Sequence, residues 1–197
     1  MTVALALVAA YLVGSIDFAV VVARMRGVDI REVGSGNPGT SNVLRTMGKL
    51  PAALALTGDL LKGVVAAAMG MVASGVADPT VHWAFAAGLA AVVGHCYPVF
   101  HRFRGGKGMA TALGALAFTV PLVALVDAII WLVTVKLSKT ASVASLLAVA
   151  VTIPLALWAG VRGLALLWLG AILFLVVWRH RANIVRMARG SEQRVPT

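Results

Sequence analysis

Six long apolar runs are separated by short polar segments along the chain. The runs cover residues 1–23, 50–76, 81–100, 108–135, 141–160 and 163–178. A membrane-spanning helix needs about 20 predominantly apolar residues, so five of the runs predict one such helix each. The strands of a membrane β-barrel alternate apolar and polar residues, whereas these runs are apolar on every side. The pattern therefore predicts an all-α fold, a polytopic membrane helical bundle.

The fourth run has 28 residues and contains Pro121. It predicts either one long helix or two helices of about 13 residues that fold back at Pro121. Inner loops of membrane proteins are enriched in Lys and Arg. Two helices place 15 of the 17 Lys and Arg residues inside and Arg162 alone in an outer loop, whereas one helix divides them almost evenly. We therefore predict seven spans including one short pair, with the N-terminus outside and the C-terminus inside.

The composition excludes an ordinary water-soluble domain. The 197 residues are 60% hydrophobic and 12% charged, whereas a soluble domain carries about 25% charged residues. The net charge of +10 comes mostly from loop cations, which the inside enrichment and anionic lipid explain, so we predict no nucleic-acid partner. No cation precedes the first run, which indicates a retained span rather than a cleaved signal peptide. Residues 1–197 are expected to form one membrane domain.

The first inner loop is rich in glycine and hydrogen-bond donors. Residues 34–42 read GSGNPGTSN, and Arg45 follows. The glycine spacing matches G-x-G-x-x-G, but that dinucleotide fingerprint needs a βαβ unit, and here a membrane span follows. Converging N–H groups and the planar guanidinium suit a phosphate monoester, and a flexible turn is the alternative. The candidate binding residues are Gly34, Ser35, Gly36, Asn37, Gly39, Asn42 and Arg45.

The second inner loop, residues 94–108, carries glycines around a lysine. It departs from a nucleotide-binding P-loop because His101 replaces the first glycine and Gly108 replaces the magnesium-binding Ser or Thr. The start of the following helix can still bind an anion. An inside anchor explains Arg102 and Arg104 but not the glycines. The candidate binding residues are Gly105, Gly106, Lys107, Gly108 and Thr111.

Ionisable residues also occur inside the predicted spans. Asp59 and Lys62 lie one helical turn apart and can neutralise each other. Such a pair in a membrane indicates a functional site, and a structural ion pair is the alternative. For Asp17 and Asp127 we favour burial with a partner, or a position near an interface, over catalysis.

The remaining inner segments place polar side chains on shared helical faces. Ser142 and Ser145 lie three residues apart, as do His180 and Asn183. Serine in a membrane helix usually bonds to its own backbone, and Arg179 is explained as a stop-transfer charge. Even so, four inner segments with anion-binding chemistry are predicted to converge on one membrane face.

The histidines and the single cysteine predict neither a metal site nor a disulfide. His95 and His101 are six residues apart, His82 falls on the outer side, and no carboxylate accompanies them. Cys96 has no second cysteine to pair with. We predict no metal and no cofactor.

Four segments carry a family resemblance. They are GSGNPGTSNVLR (34–45), GDLLKG (58–63), GHCYPVFHRFRGGKGMAT (94–111) and RHRANIVRMARGSE (179–192). With the opening YLVGSI (11–16), they resemble, in the family's order, the bacterial acyl-phosphate:glycerol-3-phosphate acyltransferases, the PlsY family. The resemblance implies acyl transfer from acyl phosphate to the 1-hydroxyl of sn-glycerol 3-phosphate, giving lysophosphatidate and inorganic phosphate in the first committed step of phospholipid biosynthesis. It also implies a multi-pass protein of the bacterial inner (cytoplasmic) membrane, with a cytoplasmic active site and no obligate protein partner.

Residue roles are carried over from the resemblance. The candidate catalytic residues are Ser35, Arg45, His95 and Lys107. The second motif is expected to help hold the acyl donor through Gly58, Asp59, Lys62 and Gly63. The other candidate substrate-binding residues are Gly34, Gly36, Asn37, Gly39, Asn42, Gly105, Gly106, Gly108, Thr111, Ser142, His180 and Asn183. Two positions depart from the family pattern: Asp17 replaces the proline of GSIPF, and His101 replaces an aliphatic or aromatic residue.

Acyl phosphate is already activated, so we expect no covalent acyl-enzyme and no nucleophilic role for Cys96. The enzyme must position two anionic substrates and stabilise moving negative charge, for which Arg45 and Lys107 supply countercharge. The hydroxyl proton goes either to His95 or to a substrate phosphate, whose second pKa is about 6. We favour the phosphate because an imidazolium among cations is unfavourable.

The alternative function is a membrane carrier for an anionic phosphate ester, which would use similar loops. Carriers are commonly built from repeated halves with binding segments in matching positions. Here GSGNPG and RGGKG differ in length, order and flanking residues. A structural or lipid-organising membrane protein, in turn, predicts no convergence of phosphate-binding segments.

Overall fold

The computed structural model describes residues 2–75 and 81–196, and each regular element within those ranges is helical. A 3₁₀ turn, Val99–His101, follows the fifth helix. The α-helices are α1 (Val3–Gly14), α2 (Phe18–Arg24), α3 (Thr40–Met47), α4 (Lys49–Ser74), α5 (His82–Cys96), α6 (Met109–Thr119), α7 (Pro121–Ser138), α8 (Ala141–Trp158), α9 (Gly163–Arg179) and α10 (Arg181–Ala188). The predicted all-α membrane bundle is confirmed.

Five apolar helical stretches in the described residues are long enough to cross a membrane. They are Val3–Arg24, Lys49–Ser74, His82–His101, Pro121–Ser138 and Ala141–Trp158. The helices α9 and α10, which meet at a 50° bend, form a sixth span if they are counted as one. The one remaining predicted span, the fourth along the chain, corresponds to α6, whose 11 residues extend about 16 Å. The count of seven and the sidedness of the termini stay predictions.

The predicted break at Pro121 is confirmed. One helix ends at Thr119 and the next begins at Pro121, where the missing proline N–H costs no helical hydrogen bond. The expected length of about 13 residues for each helix was wrong for α7, which has 18 residues, whereas α6 has 11. Helical hydrogen bonding in α7 continues past the end of the apolar run to Ser138.

Glycines let α4 and α6 cross closely. A side chain on Gly63 would collide with the Thr111 carbonyl, and one on Gly114 would collide with the Leu60 carbonyl. Small residues at such crossings are how membrane helices bring their backbones together. The crossing places the second motif on α4 directly beside the helix that begins after the glycine-lysine loop.

Candidate active site

The first inner loop is built around the buried side chain of Asn42. Its Oδ1 accepts the Ser35 N–H at 2.9 Å, and its Nδ2 donates to the carbonyls of Ile30 at 3.1 Å and Val33 at 3.0 Å. Both amide hydrogens therefore have partners inside the loop. A side chain on Gly34, which has a left-handed φ of 60°, would overlap the Asn42 amide. Asn42 and Gly34, predicted as binding residues, shape the loop in this structure.

Three predicted binding residues of the same loop, Ser35, Asn37 and Gly39, are exposed or half-buried. Ser35 is exposed, and its hydroxyl accepts the Asn37 N–H at 3.4 Å. Gly36 has a left-handed φ of 68° and lies against the Arg31 carbonyl. The loop turns so that Pro38 meets Gly106 of the second inner loop.

The second inner loop is fastened by Arg179. Its guanidinium donates to the Gly105 carbonyl at 2.8 Å and to the Gly106 carbonyl at 3.0 Å. The same guanidinium lies over the Tyr97 ring, 5.1 Å from its centre. The sequence explained Arg179 only as a stop-transfer charge. In the structure it orders the loop that carries Lys107.

Cations cluster around Lys107 on this face. Burial lowers the pKa of Lys107 to about 8. The Glu192 carboxylate raises that pKa, while the guanidinium groups of Arg186, Arg179 and Arg45 lower it. Burial also lowers the pKa of Arg45, against a smaller raising effect of Glu192. Arg45 donates through Nε to the Arg194 carbonyl at 3.0 Å.

Glu192 lies in this cluster, although the sequence assigned it no role. Its carboxylate accepts hydrogen bonds from the Ser142 hydroxyl at 2.9 Å, the Arg186 Nε at 2.8 Å and the Asn183 amide. Burial raises the pKa of Glu192, but the bonds from Asn183, Ser142 and Arg186 outweigh that effect and leave its pKa lowered. The available signal was that Glu192 is an acid at the end of an otherwise cationic motif.

Two further predicted residues lie beside this cluster with buried polar atoms. His180 is 3% exposed, and its ring Nδ1 lies 2.7 Å from the Val176 carbonyl, to which it donates. Thr111 is fully buried, and its hydroxyl has no hydrogen-bond partner among the described residues. The side-chain Oδ1 of Asn183 is also buried and has no hydrogen-bond partner among the described residues.

The second motif forms a buried charged cluster with α5. The Lys62 Nζ lies 2.7 Å from the Asp59 Oδ1 and 2.8 Å from the His95 Nδ1. All three side chains are at most 4% exposed. Asp17 lies nearby and caps α2, with its Oδ1 accepting the Val20 N–H at 3.2 Å. Asp17 therefore has the buried, partnered role that the sequence favoured.

The glycines of the second motif and Gly108 make packing contacts. A side chain on Gly58 would overlap the Phe18 ring, and Gly63 lies at the α4–α6 crossing. Gly108, with a left-handed φ of 86°, caps α6 and lies against Val92 and Cys96. Among the described residues, no group of three His, Cys, Asp or Glu side chains could hold a metal ion.

The chain is similar to known proteins over almost its whole length. The family model described as glycerol-3-phosphate acyltransferase matches residues 4–190. A protein of Halorhodospira halophila named glycerol-3-phosphate acyltransferase is 43% identical over 94% of this chain and 92% of its own length. A protein of the same name from Pseudomonas aeruginosa strain LESB58 is 46% identical over 93% of this chain and 95% of its own length.

Two solved structures share the fold. One is PlsY, an integral membrane glycerol 3-phosphate acyltransferase, in its glycerol 3-phosphate form, with a TM-score of 0.91 and 40% identity over 99% of this chain and 96% of that chain. The lysophosphatidic acid form of PlsY has a TM-score of 0.89 and 39% identity over the same shares.

Proposed function

Because the chain belongs to the glycerol-3-phosphate acyltransferase family, we propose that it uses an acyl phosphate as its acyl donor. The acyl group would pass to the 1-hydroxyl of sn-glycerol 3-phosphate and give lysophosphatidate and inorganic phosphate. The observation that carries this proposal is an anion already held at the predicted phosphate site. Ser142, Asn183 and Arg186 bind the Glu192 carboxylate, so they can bind anionic oxygen.

Positive charge at this site exceeds what Glu192 can neutralise. Arg45, Lys107, Arg179 and Arg186 all act electrostatically on one another or on Glu192. One carboxylate faces four cations, which leaves countercharge for the phosphate groups of two substrates. Bringing two anions together and stabilising the charge that moves between them are the demands of this reaction.

An apolar groove supports a lipid-like acyl donor. It lies between α1, α5 and α9 and has a volume of about 490 Å³. Its lining consists of Leu7, Tyr11, Trp83, Ala86, Leu89, Ala90, Val93 and Trp168. Four of these residues, at positions 83, 86, 90 and 93, form one stripe along α5 by their spacing. A fatty acyl chain is an occupant whose chemistry matches this lining.

The stripe on α5 leads to the anion-binding face. Continued by one turn from Val93, it reaches Tyr97, whose carbonyl accepts the Tyr11 hydroxyl at 2.9 Å. The Tyr97 ring lies under Arg179, which binds the Gly105 and Gly106 carbonyls. An acyl chain in the groove would thus direct its phosphate toward the glycine-lysine loop.

The proposed reaction needs no enzyme nucleophile. The glycerol hydroxyl oxygen attacks the acyl carbon, the bond from that carbon to the phosphate oxygen breaks, and phosphate leaves with the hydroxyl proton. Cys96 is fully buried against Gly108, which supports direct transfer. Lys107 and Arg45 would neutralise charge on the two phosphates.

The test is turnover by the purified protein. Palmitoyl phosphate and labelled glycerol 3-phosphate, supplied to the protein in lipid vesicles, are expected to yield labelled lysophosphatidate and one equivalent of phosphate. Palmitoyl-CoA in a parallel reaction tests the donor. Label that accumulated inside sealed vesicles without product would instead indicate a carrier.

We also propose that the protein lies in the bacterial cytoplasmic membrane with the site on the cytoplasmic face. The placement of 15 of 17 cations on one side of seven spans supports this orientation. In a background lacking Cys96, cysteines at Lys107, Lys139 and Arg189 should react from the inside, and one at Arg162 from the outside. Outside labelling at positions 139 and 189 would contradict the seven-span topology.

A further inference from the structure

The ammonium group of Lys62 has three acceptors around it, deep between α4 and α5. The Nζ lies 2.7 Å from the Asp59 Oδ1, 2.7 Å from the Ile16 carbonyl and 2.8 Å from the His95 Nδ1. Lys62 itself is 3% exposed. An ammonium has three hydrogens and no lone pair. Its contacts to the Ile16 carbonyl and the His95 Nδ1 are hydrogen bonds, and its contact to Asp59 is an ion pair. Lys62 is thus held by groups of the protein itself.

This arrangement determines where the His95 ring carries its proton. The Asp59 Oδ1 also lies beside the His95 Nδ1, at 3.5 Å, but the Lys62 ammonium is closer, at 2.8 Å. Because the ammonium can only donate, the His95 Nδ1 accepts from it and therefore carries no hydrogen. In a neutral imidazole the other nitrogen is then protonated. A doubly protonated ring would direct an N–H at the ammonium across 2.8 Å. The contact therefore selects the neutral ring protonated at Nε2.

The Nε2 faces the junction of the two inner loops. A side chain on Gly106 would collide with the His95 Nε2 and would closely approach the Pro38 carbonyl. The Gly106 N–H also donates to the His95 carbonyl at 3.0 Å. The ring N–H is thus directed to the place where the phosphate-binding loops meet.

We propose that Lys62 is a positioning residue that fixes His95 as a hydrogen-bond donor to substrate. Held in the Nε2–H form, His95 donates to an oxygen of the acyl phosphate and does not take the hydroxyl proton. Asp59 acts one step further back, by neutralising the buried ammonium. The identity of the accepting oxygen rests on the proposed function, whereas the tautomer does not.

The direct test is ¹⁵N NMR of the purified wild-type protein with labelled histidine. The chain has four histidines, and His95→Gln assigns the signals of His95. We expect an unprotonated Nδ1 and a protonated Nε2 in the protein without substrate. A His95 ring protonated at Nδ1 would overturn the inference even if the enzyme forms lysophosphatidate. If the tautomer is as expected but the protein does not use acyl phosphate, the proposed acyl donor is wrong and the tautomer inference stands.

The Lys62→Met variant tests the positioning role. Without the ammonium, the His95 signals should shift toward a mixture of the two tautomers, and kcat should fall about tenfold. Lys136→Met, which removes an exposed lysine at the end of α7, should change neither. Should Lys62→Met fail to fold with Asp59 left unpaired, the double change with Asp59→Asn removes both charges. An unchanged tautomer in a folded variant lacking Lys62 would refute the role.

Substitution of His95 separates a donor from a base. His95→Gln keeps an N–H of similar reach, so it should retain more activity than His95→Leu and keep an acidic limb set by substrate phosphate near pH 6. If His95 were the base, His95→Gln would lower kcat by about a hundredfold and abolish that limb. The second result would overturn the inference.

Discussion

Two regions of the bundle each bury a carboxylate, and their partners differ. Asp59 and Asp127 are each 1% exposed. Asp59 pairs with the Lys62 ammonium at 2.7 Å in the α4–α5 region, whereas Asp127 meets the Thr152 hydroxyl at 2.8 Å between α7 and α8. In the apolar stretches, 61% of residues are buried for α5 and 17% for α7. A buried acid in a membrane protein therefore indicates a site when a cation and polar loops accompany it.

The α7–α8 hairpin is joined by hydrogen bonds between side chains. The Thr152 hydroxyl donates to the Asp127 Oδ2 at 2.8 Å and lies 2.9 Å from the Ala148 carbonyl, so its one hydrogen is shared between two acceptors. One turn along α7, the Trp131 indole donates to the Ser145 hydroxyl at 3.0 Å. Among the described residues, no ion pair joins this hairpin.

The largest expected difference between the regions is at the cation cluster. Lys107→Ala and Arg45→Ala should each lower kcat/KM at least about a hundredfold, or roughly 2.7 kcal/mol, because each removes charge that faces phosphate. Steady-state kinetics with glycerol 3-phosphate provides the measurement. Arg104→Ala is the control, since this residue is exposed and its charge is explained from the sequence by an inside anchor alone. Equal losses at all three positions would indicate a diffuse electrostatic effect.

A tryptophan substitution in each of the two apolar grooves allows a direct comparison of their roles. Ala90→Trp fills the groove of α1, α5 and α9 and should raise KM for palmitoyl phosphate about tenfold, or ~1.4 kcal/mol. Val126→Trp fills a groove of about 410 Å³ between α7 and α8 and should leave KM unchanged. A short-chain acyl phosphate should be less affected by Ala90→Trp. An equal response at positions 90 and 126 would show that the acyl chain does not occupy the groove beside the site.

The pH dependence of kcat/KM should also come from a group in the site region, Lys107. Burial lowers the pKa of Lys107 to about 8, so the positive charge proposed to bind phosphate is lost as pH rises through that value. We expect kcat/KM for glycerol 3-phosphate to fall about fivefold between pH 8 and 9. Lys107→Arg stays charged and should shift this alkaline limb upward. A limb that persists unchanged in Lys107→Arg would assign it to another group.

The lowered pKa of Lys107 should make folding stability and activity change in opposite directions with pH. An exposed lysine in the unfolded chain titrates at about 10.4, so the unfolded state binds more protons between about pH 8 and 10. Folding stability contributed by Lys107 should therefore rise with pH across this window, while activity falls.

The smallest effect is expected at Asp127. Asp127→Asn keeps an acceptor for the Thr152 hydroxyl, so activity should be unchanged and the free energy of unfolding should change by about 0.6 kcal/mol or less, the average for a hydrogen bond between membrane helices. Thermal unfolding in detergent measures the stability. A tenfold loss of activity in a folded Asp127→Asn protein would break the distinction between the two regions.

The sequence predicted the helices and the break at Pro121 because both depend on local patterns. The unequal lengths of α6 and α7 and the bend between α9 and α10 depend on packing and were not predicted. Within the site, residue types indicated an anion-binding face, but the type does not reveal which way a donor points. The amide hydrogens of Asn42 are bound within its own loop, and the Lys62 ammonium points at Asp59, Ile16 and His95.

The contacts of Arg179 and Glu192 could not be inferred from spacing because they join distant segments. Arg179 reaches back to the Gly105 carbonyl, 74 positions earlier, and Glu192 reaches Ser142, 50 positions earlier. A single sequence contains no pairing information across such separations. The contacts of Arg179 and Glu192 therefore became known only from the structure.

The segment after α10 is the last part of the described chain to be synthesised, and it contacts several earlier segments. The Arg194 carbonyl accepts from Arg45, the Val195 N–H donates to the Lys139 carbonyl at 2.8 Å, and Glu192 orders Ser142 and Asn183. Chains are made from the N-terminus and fold progressively as they emerge. The membrane helices can thus insert before these contacts exist, and the cluster around Glu192 is completed only after this segment has emerged from the ribosome.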